Sequence, residues 1–163
     1  MMYGRHHAGD LVLSNTAEYA LRAVLHLAGR PTGAWTHVSE LARTTGVPRN
    51  YLSKTLNQLA RAGVLRSTRG PSGGFRLAGP ASELTLDRVV APFMGLDTAR
   101  CLLHDHPCGD AHACEAHTRW APVARQVHAF FGATTVADLT GGAEGAAGAL
   151  SSLHRSVIDG DTP

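Results

Sequence analysis

Apolar side chains return every three or four positions along most of this chain, and the returns stop and restart at glycine and proline. Over SNTAEYALRAVLHLAGR, apolar residues at Ala17, Ala20, Leu21, Val24, Leu25 and Ala28 predict a helix that begins near Asn15 and ends at Gly29 and Pro31. Glu18, three residues after Asn15, fits a capping-box pattern, and its plainest role is to tie down the helix start. Thr36 or His37 can cap a second helix, VSELARTTG, with Val38, Leu41 and Ala42 facing inward. Gly46-Val47-Pro48 breaks it before RNYLSKTLNQLARAG, where Leu52, Leu56, Leu59 and Ala60 form a core stripe. Arg49, Asn50, Ser53, Lys54 and Asn57 remain outside that stripe.

The period then shortens to that of strands. Val64-Leu65-Arg66-Ser67 and Gly74-Phe75-Arg76-Leu77 read as a hairpin around the glycine-rich tip Thr68-Arg69-Gly70-Pro71-Ser72-Gly73. Two helices joined by a short glycine-containing turn, the second with a polar and basic outer face, make a helix-turn-helix pattern, and a hairpin placed directly after it reads as a wing. Short polar side chains of the second helix can reach base edges, Arg and Lys can hold guanine or phosphate, and the narrow tip allows Arg69 into a minor groove. A phosphate-cradling nucleotide loop would lead into a helix with a Lys-Ser or Lys-Thr pair, whereas this glycine-rich turn leads into a strand.

Beyond the hairpin, Pro80 to Glu83 form a linker and Thr85 starts a short helix, LDRVVAPFMG, whose Leu86, Val89, Val90 and Phe93, with Leu84, pack on the first domain. A longer helix, EAHTRWAPVARQVHAFFG, repeats apolar residues at Trp120, Val123, Val127 and Phe130 or Phe131, as in a helix seam suited to dimerisation. Thr135 opens a last turn, VADL. The Gly- and Ala-rich stretch from Thr140 reads as an unstructured tail, and the first residues as a flexible extension.

Charge and size narrow the function. At 163 residues the chain holds one domain with appendages. From Ser14 to Gly79 nine basic residues face two acidic ones, a net +7, which leaves −5 for the remainder of a chain whose total is +2. A basic half joined to an acidic half suggests a polyanion-binding module attached to something else. The N-terminus lacks the apolar run of a signal peptide and no later segment is long enough to span a membrane, so a cytoplasmic location is expected.

All three cysteines, and four of ten histidines, fall between Cys101 and His117 in CLLHDHPCGDAHACEAH. Cys101, Cys108 and Cys114 stand in a C-x6-C-x5-C spacing, and His117 follows Cys114 by one helical turn. Thiolates and imidazoles ligate zinc and iron-sulfur clusters. The spacing lacks the tight C-x2-C hairpins of structural zinc, and three cysteines cannot all pair within one chain. Zinc, a thiol-disulfide switch and a cluster all remain open on spacing alone. An enzyme reading finds Cys-His pairs here but no third supporting group, no phosphate loop and no oxyanion signature.

These pieces in this order resemble the Rrf-two family of winged-helix regulators, which has IscR-like and NsrR-like members. The resemblance runs from about Leu13 to Leu139 and is carried by LSNTAEYALRAVLHLA, YLSKTLNQLARAGVLRSTRGPSGGFRLA, the three-cysteine loop and TTVADL. It implies a mainly α fold with a small β-wing: a winged helix-turn-helix domain plus a long C-terminal dimerisation helix. It implies a homodimer on double-stranded DNA with a palindromic operator. Arg49, Asn50, Tyr51, Ser53 and Lys54 would then lie in the major groove, with Arg69 and Ser72 of the wing at the minor groove. It also implies that Cys101, Cys108 and Cys114 hold a [2Fe-2S] or [4Fe-4S] cluster controlling DNA affinity. The fourth ligand in IscR-like members is a histidine soon after the third cysteine, the place of His117. In NsrR-like members it is a carboxylate near the start of the first helix of the other subunit, the place of Glu18. The first cysteine gap is one residue longer here than the usual family pattern.

The organisation expected is therefore an extension over 1–12, a winged helix-turn-helix domain over 13–95, a cluster-binding loop over 96–117, a dimerisation helix and final turn over 115–139, and a tail over 140–163.

Overall fold

The protein is described by a computed structural model that covers residues 13–70, 73–94 and 115–141. The N-terminal extension, Ser72, the cysteine loop with Cys101, Cys108 and Cys114, and most of the tail lie outside the described residues. Three helices open the domain: α1 (Asn15–Ala28), α2 (Val38–Thr45) and α3 (Arg49–Arg61). A two-stranded antiparallel hairpin of β1 (Leu65–Thr68) and β2 (Gly74–Leu77) follows, then a 3-10 turn (Ala81–Glu83), α4 (Leu86–Val90), α5 (Glu115–Ala133) and α6 (Val136–Thr140). This is a mainly helical winged-helix architecture with a small wing and a long C-terminal helix.

The start of α1 departs from expectation. Ser14, not Asn15, is the N-cap, and its hydroxyl accepts from the amide of Ala17. Glu18 therefore stands one position too late for a capping box, and its carboxylate instead takes the guanidinium of Arg22 one turn along the same helix. The buried face also turns: Ala17, Ala20, Ala23, Val24 and Leu27 are the buried residues, while Leu21, Leu25 and Ala28 are half-buried. The cause is packing on several sides, since α2, α3, α4, α6 and β2 all lie against α1.

The turn between α2 and α3 depends on Gly46, which caps α2 with a left-handed backbone at φ 70°. His37 caps the other end of α2, accepting from the amide of Ser39. Thr36, the other candidate, is buried and hydrogen-bonds through its backbone to Phe75 in both directions, at 3.0 and 2.9 Å, which adds a third short rung to the wing. Gly74 makes that approach possible. A Cβ at Gly74 would sit 2.3 Å from the carbonyl oxygen of Thr36.

The end of the chain is sewn to the linker. Thr85 and Thr135 form an isolated bridge, with Leu86 N–H donating to Thr134 at 3.0 Å and Val136 N–H to Leu84 at 2.8 Å. Thr135 and Asp138 form a reciprocal capping box on α6. Along α5 the expected seam divides between two faces: Val127 and Phe131 pack on the core, while Val123 and Phe130 are 44% and 54% exposed. No helix among the described residues is long and apolar enough to cross a membrane.

At the C-terminal end of α1, Arg30 pairs with Glu40 of α2 at 3.2 Å. Nearby His26 is half-buried, and its Nε2 is enclosed with no hydrogen-bond partner among the described residues. Burial, reinforced by Arg30 and opposed by Glu40, holds its pKa below the ordinary histidine value.

Two outcomes follow. Gly74→Ala should destabilise the fold by about 1–3 kcal/mol or more through overpacking, read as a lower urea midpoint with unchanged slope. Because His26 binds a proton more weakly folded than unfolded, stability should be complete above about pH 6.5 and decline as pH falls through the lowered native pKa. Urea midpoints of wild type and His26→Leu across that range should converge in slope against pH if another group is responsible, and diverge if His26 is.

Candidate nucleic-acid interface

The second helix of the helix-turn-helix unit carries no acidic residue along RNYLSKTLNQLAR. Its inner face is pinned by Leu52, Leu56 and Leu59, all fully buried, so its orientation is set by the core. The opposite face then presents Arg49, Asn50, Lys54 and Asn57 to solvent, and Tyr51 is 61% exposed. Pro48 precedes the helix without a side-chain capping bond, and the helix field at that end favours an anion. Ser53 differs from its neighbours: it is half-buried and its hydroxyl donates to the carbonyl of Arg49 at 2.8 Å, within its own helix.

The wing places Arg69 at its tip, exposed, beside Gly70 with φ 109°. The register pairs Leu65 with Leu77, Arg66 with Arg76, Ser67 with Phe75 and Thr68 with Gly74. Leu65 is buried on the inner side, and α3 packs against β1, so the hairpin and α3 are held as one body. The structure thus brings Arg49, Asn50, Tyr51 and Lys54 together on one helix face and sets the wing with Arg69 against that helix.

Sequence reading did not find Trp35. The Thr36–Phe75 bridge carries it from the α1–α2 connection to the wing, where the Arg76 guanidinium lies 4.5 Å from its ring centroid and donates to the carbonyl of Gly33 at 3.3 Å. The partners are about forty residues apart in sequence, and no local pattern signals the pair. Arg76 is thereby committed to the base of the wing.

Of the two candidates for a fourth metal ligand, Glu18 is half-buried and bound to Arg22. His117 is buried, 8% exposed, in the first turn of α5. Among the described residues no group of three or more His, Cys, Asp or Glu side chains is placed to hold a metal ion, and the three cysteines lie outside those residues.

The family model described as "Rrf2: Iron-dependent Transcriptional regulator" matches residues 13–142. The chain belongs to the Rrf2 family. It is a transcriptional regulator of that family, whose members bind DNA, are generally dimeric, and include iron-sulfur regulators such as IscR. A relative from Aquifex aeolicus (strain VF5), whose name places it among HTH-type transcriptional regulators, is 33% identical over 132 residues, 79% of this chain and 91% of the relative. Two solved structures share the fold. CymR, the global cysteine regulator of B. subtilis, superposes with a TM-score of 0.67 at 21% identity, covering 79% of this chain and 95% of CymR. IscR of T. potens gives 0.62 at 20% identity, covering 81% and 88%.

For this Rrf2 protein, Arg69→Ala should weaken duplex binding and reduce the slope of log affinity against log salt by roughly one. Asn50→Ala and Lys54→Ala should change which sequences are preferred. Fluorescence anisotropy at several salt concentrations reads both, and affinity independent of salt would sink the assignment.

Proposed function

We propose that this protein is a homodimeric repressor that reads a roughly palindromic operator and whose DNA affinity is set by an iron-sulfur cluster held by Cys101, Cys108 and Cys114. The DNA-reading half rests on one observation above all: an acid-free α3 with an exposed basic start, packed against a wing that carries Arg69, in a chain from a family of transcriptional regulators. Val123 and Phe130 on the outer face of α5 support dimerisation, because a two-fold partner would remove them from water. Two copies of α3 related by a two-fold axis match two half-sites of a palindrome.

The sensing half rests on the donor set. Three thiols within fourteen residues, with a carboxylate or imidazole as fourth ligand, suit iron-sulfur chemistry, as they do in the family's IscR-like members. When bound, a cluster would supply a group whose oxidation, loss or reaction with nitric oxide changes the charge and ligation around those cysteines. The chain's own residues carry that change outward. On the entry side, the Gln58 amide of α3 donates to the carbonyl of Pro92 at 2.7 Å, shortly before the cysteine segment. On the exit side, α5 begins at Glu115, directly after Cys114, and its far end is bridged to the linker at Thr85. A change in the span between Met94 and Glu115 therefore pulls on the reading helix at one end and on the dimerisation helix at the other, a two-state element of the kind that shifts affinity.

The fourth ligand is either Glu18 of the partner subunit, which must give up Arg22, or His117. The protein purified anaerobically should be coloured, with visible absorption that nitric oxide bleaches or shifts; a colourless protein with zinc or no metal by native mass spectrometry would overturn the cluster. Glu18→Ala and His117→Ala, compared separately, should alter the visible spectrum in one case only, and if neither does, both ligand assignments fail.

A further inference from the structure

An open groove of about 720 Å³ lies between the C-terminal end of α1, the connection to α2, the base of the wing and the 3-10 turn, and Ala137 of α6 closes one side. Its volume falls in the range of small-molecule sites. Leu27, Leu77, Ala78, Pro80 and Ala81 give it an apolar lining. Among the described residues, its charged side chains are Arg30, Arg66 and Arg76, and no acidic side chain lines it.

These arginines are not balanced. Arg66 and Arg76 stand directly opposite each other across the hairpin, an arrangement in which like charges repel. Glu40 answers Arg30 alone, and among the described residues no carboxylate pairs with Arg66 or Arg76. Arg76 is held in place by Trp35 and the Gly33 carbonyl, yet its Nε is buried without a partner. A pre-positioned guanidinium, a second guanidinium opposite it and an apolar lining are what an organic acid requires, since guanidinium groups bind carboxylate and phosphate strongly.

We propose that this groove binds a small organic anion, a metabolite that joins a phosphate monoester or carboxylate group to an apolar body. No lining residue belongs to α3, and Arg69 is not among them, so the groove stands apart from the DNA-reading residues. Its lining joins the base of the wing to the end of α1 and the connection after it, and a bound anion would hold these against one another and alter how the wing meets DNA. That last consequence rests on the DNA-binding reading; the binding itself does not.

Isothermal titration calorimetry of the full chain with phenyl phosphate and, separately, phthalate identifies which acid group is preferred, and benzyl alcohol serves as the uncharged control. Saturable binding of at least one anion is expected, with displacement by the other where both bind, and no heat from the control. Arg66→Gln and Ser82→Glu both alter exposed positions of the lining, and each should weaken binding by about ten-fold or more, the first by removing a charged donor and the second by supplying the missing acid. No saturation into the millimolar range, or affinity unchanged in both variants, would overturn the proposal. So would failure of the anions together with a lower salt slope for duplex DNA in Arg66→Gln, which would assign these arginines to the DNA backbone. If the anions bind as expected while Arg69→Ala leaves duplex binding intact, the groove stands and the DNA assignment fails.

Discussion

Close approach to α1 is the constraint on which this fold rests. Three of its buried residues are Ala17, Ala20 and Ala23, each with no exposed surface, and short side chains at those positions let neighbouring backbones come near. Among the described elements, α2, α3, α4, α6 and β2 all lie against α1. The helix α3, the wing and the segment bearing α4 are thus referenced to one rigid body. A larger residue at any of the three alanines would have to displace at least one of them, because packed interiors hold little spare volume.

Local chemistry was readable wherever it decides structure locally. The glycine turn after α2, the Leu52, Leu56 and Leu59 stripe of α3, the hairpin with its glycine-rich tip, and the Thr135 start of α6 all follow from neighbours within a few residues. What escaped was non-local. The position of Ser14 as cap moved Glu18 out of the capping box by a single residue, a shift below the precision with which a pattern sets a helix start. Burial of Ala23 and Leu27 depends on elements that arrive later in the chain. The contact of Trp35 with Arg76 exists only because Thr36 reaches Phe75. The seam of α5 was legible as apolar, but periodicity does not say which of Val123, Val127, Phe130 and Phe131 meets this chain's core and which faces away.

Charge is sorted by partnership as well as by position. The exposed cations of α3 and of the wing tip keep their water and stand ready to exchange counterions with a polyanion, which is where long-range attraction is most useful. Arg22, Arg30 and Arg76 are instead engaged within the fold by Glu18, by Glu40, and by Trp35 with Gly33. The same residue type therefore serves two purposes along one short basic segment, and only the fold separates them.

The bridge between Thr85 and Thr135 closes a neck, and the chain between them is an excursion tied to the core on both sides, α4 by packing on α1 and α5 through Val127 and Phe131. Lengthening such an excursion costs little, because the entropy of closing a loop grows only logarithmically with its length. Its ends are tied to the domain, because α4 packs on α1 and the Pro92 carbonyl accepts from Gln58 of α3. A residue gained or lost between Met94 and Glu115 therefore costs little entropy yet acts on segments packed against α1 and α3, which ties the spacing of the cysteines to the pose of α3.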